Sequence, residues 1–203
     1  MDPNLQLMLY VIPTVVGFLL VLPFSKALTG PLVGTFPSLA TERGRLFGGL
    51  KLITLSGFAV SVQTLWISSK VSEGGNYCSS TSVFSCDDVI GNSMYNTDPV
   101  FGLPWGGIGM MVFALLLYFT LTTSAEPNEL WVSNYLKMGT LVTVLGIPVI
   151  LLLISYEYKI EKICQYCTTA HVANIAALVG FFRLMRMSET PEWNEKPEKK
   201  VLE

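Results

Sequence analysis

The chain has 203 residues, of which 51% are hydrophobic and only 14% are charged, and its mean hydropathy is +0.50. It is too apolar for an ordinary soluble domain, and it contains several uncharged runs long enough to cross a bilayer. The formal net charge of −2 provides no basic surplus, which argues against a nucleic-acid-binding surface and against a general attraction to anionic lipids. We therefore predict an all-α, polytopic membrane protein that is in contact with membrane lipid and binds no nucleic acid.

Hydropathy predicts five membrane spans in chain order. They cover residues 5–25, 46–69, 100–123, 135–156 and 163–182. Prolines predict a kink in the first span and in the fourth, and the acidic amino terminus lacks the basic start of a secretory signal. We expect three units: an N-terminal helix with its connector (1–45), a core (46–186) and a disordered tail (187–203).

The longest polar segment, residues 70–98, separates the second span from the third and contains Cys78 and Cys86. Its Gly, Ser, Asn and Asp residues are typical of an ordered loop or a short capping helix rather than a span. Long loops of this kind usually carry function. The two cysteines form either a redox pair or a structural disulfide that staples the loop.

A second cysteine pair opens the last span, where two residues separate Cys164 from Cys167. A dithiol at this spacing closes a small disulfide ring, and a thiolate stabilised at a helix start is the better nucleophile. A helix advances by about 100° per residue, so both thiols share one face with His171, Asn174 and Leu178. A lone histidine on an apolar face is usually a core residue, but the dithiol in front of it favours a role in redox chemistry.

Basic residues are distributed unequally over the two sides that five spans define. Ten of the 13 Lys and Arg residues fall on the side of the carboxyl terminus, and three fall on the other. Because Lys and Arg are enriched on the cytoplasmic side of membrane proteins, we predict a cytoplasmic carboxyl terminus. Both cysteine pairs then lie on the outer or lumenal side, where they can exchange disulfides.

Four segments and one further cysteine carry a resemblance to a known family. The segments read Cys86-Asp-Asp-Val89-Ile90, Ser93-Met-Tyr95, Val100-Phe101-Gly102-Leu103-Pro104 and Cys164-Gln-Tyr-Cys167-Thr-Thr-Ala-His171. Together with Cys78, they resemble the vitamin K epoxide reductase family over about residues 46–186. The resemblance implies a four-helix bundle around a quinone, capped by the cysteine loop, with the first predicted span as an extra N-terminal helix.

The resemblance also implies roles for individual residues. Cys167 would face the quinone and Cys164 would exchange with Cys86. Cys78 would meet the external thiol partner. His171 takes the place of a Tyr or His that hydrogen-bonds a quinone carbonyl. The remaining implied quinone contacts are Ile90, Ser93, Asp98 and Phe101.

The chemistry of the residues is consistent with electron transfer from thiols to a quinone. A quinone takes up two electrons and two protons, and a dithiol supplies the electrons if one thiolate reaches the ring and the other resolves the adduct. Cys167, nearly one helical turn deeper, is predicted to lie nearer the apolar pocket. Cys164 is predicted nearer the water interface, where it can reach the loop. A donor such as His171 would stabilise the charge that develops on a quinone oxygen.

The resemblance also implies a redox partner, and the C-terminal sequence indicates the kind of membrane. No thioredoxin-like domain is fused to the core, so a separate thioredoxin-like thiol protein is expected on the outer or lumenal side. The quinone can be menaquinone, ubiquinone or vitamin K; the direction of net electron flow and the reduction of an epoxide stay open. The C-terminal sequence Lys199-Lys200-Val-Leu-Glu contains no evident retrieval signal, which favours a prokaryotic plasma membrane over the endoplasmic reticulum.

Two other classes of protein fit part of the pattern. In the first, the four cysteines bind zinc as thiolates in a structural membrane protein, although the eight-residue spacing of the loop pair is loose for such a site. Metal analysis combined with thiol counting distinguishes this class from a redox enzyme. The second is a transporter whose cysteines form a disulfide staple, but the predicted spans contain no Asp or Glu for ion coupling.

Overall fold

The computed structural model describes residues 3–74 and 83–194. Within these ranges the chain forms eight α-helices: α1 (Pro3–Val21), α2 (Ser25–Thr29), α3 (Glu42–Val71), α4 (Cys86–Ile90), α5 (Ser93–Asn96), α6 (Trp105–Ala125), α7 (Val132–Ile160) and α8 (Gln165–Met187). Short 3₁₀ turns form at Gly30–Leu32, Pro37–Ala40 and Pro191–Asn194. The described ranges contain isolated β-bridges but no β-strand, which confirms the predicted all-α class.

Four helices, α3, α6, α7 and α8, are long and apolar enough to cross a membrane. This confirms the prediction of a polytopic membrane protein. The N-terminal segments Leu5–Val21 and Ser25–Leu32 meet the same requirement only as a pair, and the chain bends by 119° between them. The first helix ends at Val21 because Pro23 follows within two residues and lacks the N–H that would continue the helix.

The central helix of the bundle is α3, which packs against α1, α6 and α8, while α7 packs mainly against α8. Leu50 and Ile53 of α3 are fully buried. Glycines let α1 approach α3 closely, since a Cβ atom at Gly49 would lie 2.6 Å from the carbonyl oxygen of Gly17. The extra N-terminal helix therefore packs directly on two helices of the predicted core.

The N-terminal end of α3 differs from the prediction. The helix begins at Glu42, earlier than expected, because the hydroxyl of Thr41 accepts a backbone N–H of the first turn at 3.1 Å. Arg45, which we placed in the connector, consequently lies inside the helix and is buried. Its guanidinium donates to Ser25 Oγ and to the carbonyl oxygen of Leu39, both at 3.1 Å, so the connector folds around a satisfied charge.

The segment after α8 also differs from the prediction. Trp193 is 7% exposed, and its ring packs edge-on against Phe47 with centroids 6.1 Å apart. The indole N–H donates to the carbonyl oxygen of Pro127 at 3.0 Å. Residues 187–194 of the predicted disordered tail (187–203) are therefore ordered, because Trp193 supplies both apolar surface and a hydrogen-bond donor. Residues 195–203 lie outside the described part of the chain.

Candidate active site

A main-chain bridge attaches the cysteine loop to the start of α8. Phe84 and Ile163 form an isolated parallel β-bridge, and the N–H of Ile163 donates to the carbonyl oxygen of Val83 at 3.0 Å. Cys86 follows two residues after the first bridge residue, and Cys164 directly follows the second. The register of the bridge therefore brings Cys86 next to Cys164.

Both cysteines lie at helix starts and are buried. Cys86 is the first residue of α4 and is 2% exposed, and Cys164 caps α8 and is fully buried. The sulfur of Cys164 accepts the N–H of Cys167 at 3.2 Å, and its side chain also hydrogen-bonds with Cys86. Burial raises the pKa of the Cys164 thiol above its ordinary value of 9.0. Cys164 is thus shielded from solvent at the start of α8, beneath the loop that it was predicted to reach.

Three of the four cysteines fall within the described residues. Cys86, Cys164 and Cys167 are thiols in this structure. Cys78 lies outside the described residues, so its role toward a thiol partner stays a prediction, as does a site formed by all four cysteines.

A largely apolar cavity of about 360 Å³ lies between α3, α6, α7 and α8, next to α4 and α5. Cys167, His171 and Asn174 line it from α8 at helical spacing, as the predicted stripe requires. The amide of Asn174 also donates to the carbonyl oxygen of Thr143 at 3.1 Å and so ties α8 to α7 beside the cavity. The cavity volume lies within the usual range for sites that hold a small molecule, about 300–1,000 Å³.

The other residues predicted to contact a ligand separate into two groups. Ile90 is 3% exposed and lines the cavity. Ser93, Asp98 and Phe101 do not line it. Ser93 is exposed, and Phe101 is 78% exposed. Asn96, two residues before Asp98, is a lining residue instead.

Asp98 organises the chain in front of α6. Its carboxylate accepts the backbone N–H groups of Val100, Phe101 and Leu103 at 2.9, 2.8 and 3.4 Å. Burial alone would raise the pKa of Asp98, but these backbone donors outweigh it and hold the pKa below its ordinary value of 3.8. The hydrogen-bonded turn delays the start of α6 to Trp105, later than the predicted start of the third span.

The short helix α5 closes the cavity at the cysteine end of the bundle. The amide of Asn96 donates to Ser68 Oγ at 2.8 Å, which joins α5 to α3. The indole N–H of Trp105 donates to the carbonyl oxygen of Tyr95 at 3.2 Å, and the Tyr95 ring lies 5.0 Å from that of Tyr156 on α7. Asn96 and Trp105 both line the cavity, so these contacts hold its cap in place.

Glu157 is a site residue that the sequence analysis missed. We ended the fourth span at Tyr156, but α7 continues to Ile160, and Glu157 is buried inside it. Its Oε1 accepts the N–H of Cys164 at 3.0 Å. A carboxylate oxygen of Glu157 and the sulfurs of Cys164 and Cys167 lie within 4.8 Å of one another. The statement that no acid falls inside a span is therefore wrong, and the acid concerned adjoins the dithiol.

A comparison with known families decides the assignment. The model of the Vitamin K epoxide reductase family matches residues 50–181. The chain belongs to the vitamin K epoxide reductase family. No curated protein and no solved structure matches it. Members of this family are in general quinone-linked membrane thiol oxidoreductases that work with a thioredoxin-like partner.

The helix α1 lies outside the part that matches the vitamin K epoxide reductase family, yet it contacts the cysteine centre. Leu7 and Tyr10 pack against the buried cluster that contains Cys86 and Cys164. The rings of Tyr10 and Tyr166 meet edge-on with centroids 6.2 Å apart. The extra helix, for which the sequence indicated no role, therefore forms part of the wall around the thiols.

Two adjacent glycines of this vitamin K epoxide reductase family member give a matched test of the packing around the cavity. A Cβ atom at Gly106 would lie 2.7 Å from the backbone nitrogen of Leu65 on α3, whereas at Gly107 its nearest contact would be at 3.8 Å. We expect Gly106→Ala to destabilise the protein by about 1–3 kcal/mol relative to Gly107→Ala, because overpacking must separate α3 from α6. Thermal unfolding in detergent measures the difference. Equal unfolding temperatures for the two variants would contradict the close approach of these helices.

Proposed function

We propose that this protein oxidises the thiols of a thioredoxin-like partner and transfers the electrons to a quinone. The observation that carries the proposal is that the two cysteines of one Cys-x-x-Cys pair have different neighbours. Cys167 lines the apolar cavity, while Cys164 hydrogen-bonds with Cys86 of the loop. A disulfide between Cys164 and Cys167 would therefore have one sulfur at the ligand cavity and the other beside Cys86, with which it can exchange.

The lining residues fit a quinone. Most of the wall is apolar, which suits a lipid-soluble ring, and a few polar side chains converge on it. When bound, a quinone supplies the chemistry of a two-electron, two-proton acceptor. Cys167 would face the ring, and the imidazole of His171 and the amide of Asn174 would orient it through its oxygens. Preorganised donors of this kind stabilise charge that develops during reduction.

The remaining roles follow the path of the electrons. Cys164 would resolve the bond that Cys167 forms and would then exchange with Cys86. Cys78, the other cysteine of the loop, would receive electrons from the partner and pass them to Cys86. The quinone would be menaquinone, ubiquinone or vitamin K. The cysteine end of the bundle would face the outer or lumenal side with the carboxyl terminus in the cytoplasm, in a prokaryotic plasma membrane or, in a eukaryote, the endoplasmic reticulum.

Stopped-flow mixing of the purified, fully reduced protein with menaquinone or ubiquinone analogues tests the function. We expect the loss of two thiols for each quinone reduced, measured by quinone absorbance and by thiol counting. Absence of quinone reduction by the reduced wild-type protein would refute the proposal.

Orientation is tested separately: a cysteine introduced near the carboxyl terminus should resist an impermeant label applied to intact cells, and labelling there would reverse the predicted topology.

A further inference from the structure

Glu157 is a buried acid in a helix that otherwise has the composition of a membrane span. Glu157 is 9% exposed, and its helix α7 is the most apolar of the four candidate spans, with a mean hydropathy of 2.4. The ion pairs among the described residues join Lys70 to Glu73 and Arg183 to Glu42, so neither neutralises Glu157. Burying a carboxylate away from a cation is costly, and such groups are concentrated at functional sites.

Two of the active-site cysteines lie next to Glu157. From the start of α8, Cys164 donates its N–H to Oε1 at 3.0 Å, and the sulfurs of Cys164 and Cys167 lie within 4.8 Å of the carboxylate. From α4, Cys86 belongs to the same buried cluster as Cys164, and the Phe84–Ile163 bridge places it beside that residue. This one hydrogen bond from the described residues leaves acceptor capacity on the carboxylate, because two oxygens offer about four acceptor positions.

We propose that Glu157 accepts and returns the proton during disulfide exchange between Cys86 and Cys164. The roles of the cysteines in this step rest on the proposed function. The Cys86 thiol transfers its proton to the Glu157 carboxylate, and its sulfur attacks Cys164 Sγ of the Cys164–Cys167 disulfide. A Cys86–Cys164 bond forms, the Cys164–Cys167 bond breaks, and Cys167 leaves as a thiolate. The sulfur of Cys86 is oxidised and that of Cys167 is reduced, so electrons and protons balance.

The exchange needs a base within the protein because both thiols are shielded from solvent. Cys86 is 2% exposed and Cys164 is fully buried, so hydroxide and water have little access to either sulfur. Burial raises the pKa of the Cys164 thiol, which makes its thiolate a poor leaving group at neutral pH. When Cys164 leaves in the next exchange, protonated Glu157 can return the proton to it. One carboxyl group therefore serves both the attack and the release.

The test isolates the exchange step in the full chain and uses no quinone. A parent variant with Cys78→Ala and Cys167→Ala retains only Cys86 and Cys164, and it is treated with one equivalent of 4,4′-dithiodipyridine, a small uncharged disulfide that partitions into apolar surroundings and so reaches buried thiols. One thiol reacts and releases a first thiopyridone. The other thiol then displaces a second one as the Cys86–Cys164 disulfide forms. This second phase, which absorbance follows, is first-order and independent of protein concentration, and it reports the intramolecular attack.

We expect Glu157→Gln in the parent to slow the second phase about 100-fold at pH 7, the usual size of a general-base effect. Its rate should then rise about tenfold per pH unit, because only spontaneously formed thiolate reacts. The parent should show a flat profile around neutrality, and Glu157→Asp should restore most of the rate. Glu161→Gln, an exposed acid just beyond the same helix, is the matched control and should change nothing.

Two results would overturn the inference. One is a second phase in the Glu157→Gln variant with the rate and pH profile of the parent. The other needs no Glu157 variant and applies even if that variant fails to fold: a parent rate that rises tenfold per pH unit around neutrality. Either result leaves quinone reduction by the wild-type protein unaffected, so failure of this inference and failure of the proposed function are distinguishable.

Discussion

Replacing Cys167 by alanine is expected to lower quinone reduction at least about a thousandfold, the scale of effect seen when a covalent nucleophile is removed. Cys167 is the cysteine that lines the cavity, and it follows the buried Cys164 by three residues on α8. No other sulfur among the described residues lines that wall. The measurement is the stopped-flow rate of quinone reduction by the fully reduced variant, with thermal unfolding in detergent as a check of its fold.

Cys86→Ala is the matched control for this prediction. Cys86 lies in α4 and is not a lining residue of the cavity. The variant should therefore keep turnover with a small dithiol that reduces the Cys164–Cys167 disulfide directly. It should lose turnover with a protein thiol donor that depends on the loop. Wild-type rates for Cys167→Ala would mean that another group reacts with the quinone.

His171→Phe is expected to lower kcat about 100-fold, the usual effect of removing one preorganised donor at a developing oxyanion. The imidazole is half-buried and lines the cavity one helical turn after Cys167. Phenylalanine keeps an aromatic ring at this position but removes both ring nitrogens. The fall in rate should therefore exceed any loss of quinone affinity, and steady-state measurement of kcat and KM separates the two.

His171→Tyr tests whether the donor itself matters. A phenol hydroxyl at the same helical position can donate a hydrogen bond to the quinone, so this variant should keep most of the activity that the phenylalanine variant loses. If the Phe and Tyr variants are equally active, or equally inactive with intact folds, the assigned role of His171 is wrong.

The parts of the site that follow helical periodicity were predictable from the sequence. Cys167, His171 and Asn174 share a face at any helix with this spacing, and the structure places all three on the cavity wall. The long apolar helices were likewise predictable, because a run of apolar residues has few alternatives to a span. In both cases the information is local to one segment of the chain.

Contacts between distant segments were not predictable. Burial of Glu157 depends on α7 continuing past the apolar run and on the Phe84–Ile163 bridge placing α4 over its last turns. A hydropathy window ends the span at the first charge and cannot register either effect. Asp98 was misplaced for a related reason, since its carboxylate satisfies the backbone of its own turn instead of pointing into the cavity.

The sparse packing between α6 and α7 has a consequence for how the cavity fills. These helices touch much less than α3 and α6 do, and α1 packs on α3 and α8 rather than beside them. Leu145 of α7 lines the cavity and is also 60% exposed on the outside of the bundle. A quinone bound as proposed would therefore extend its isoprenoid tail between these two helices and among the acyl chains of the membrane.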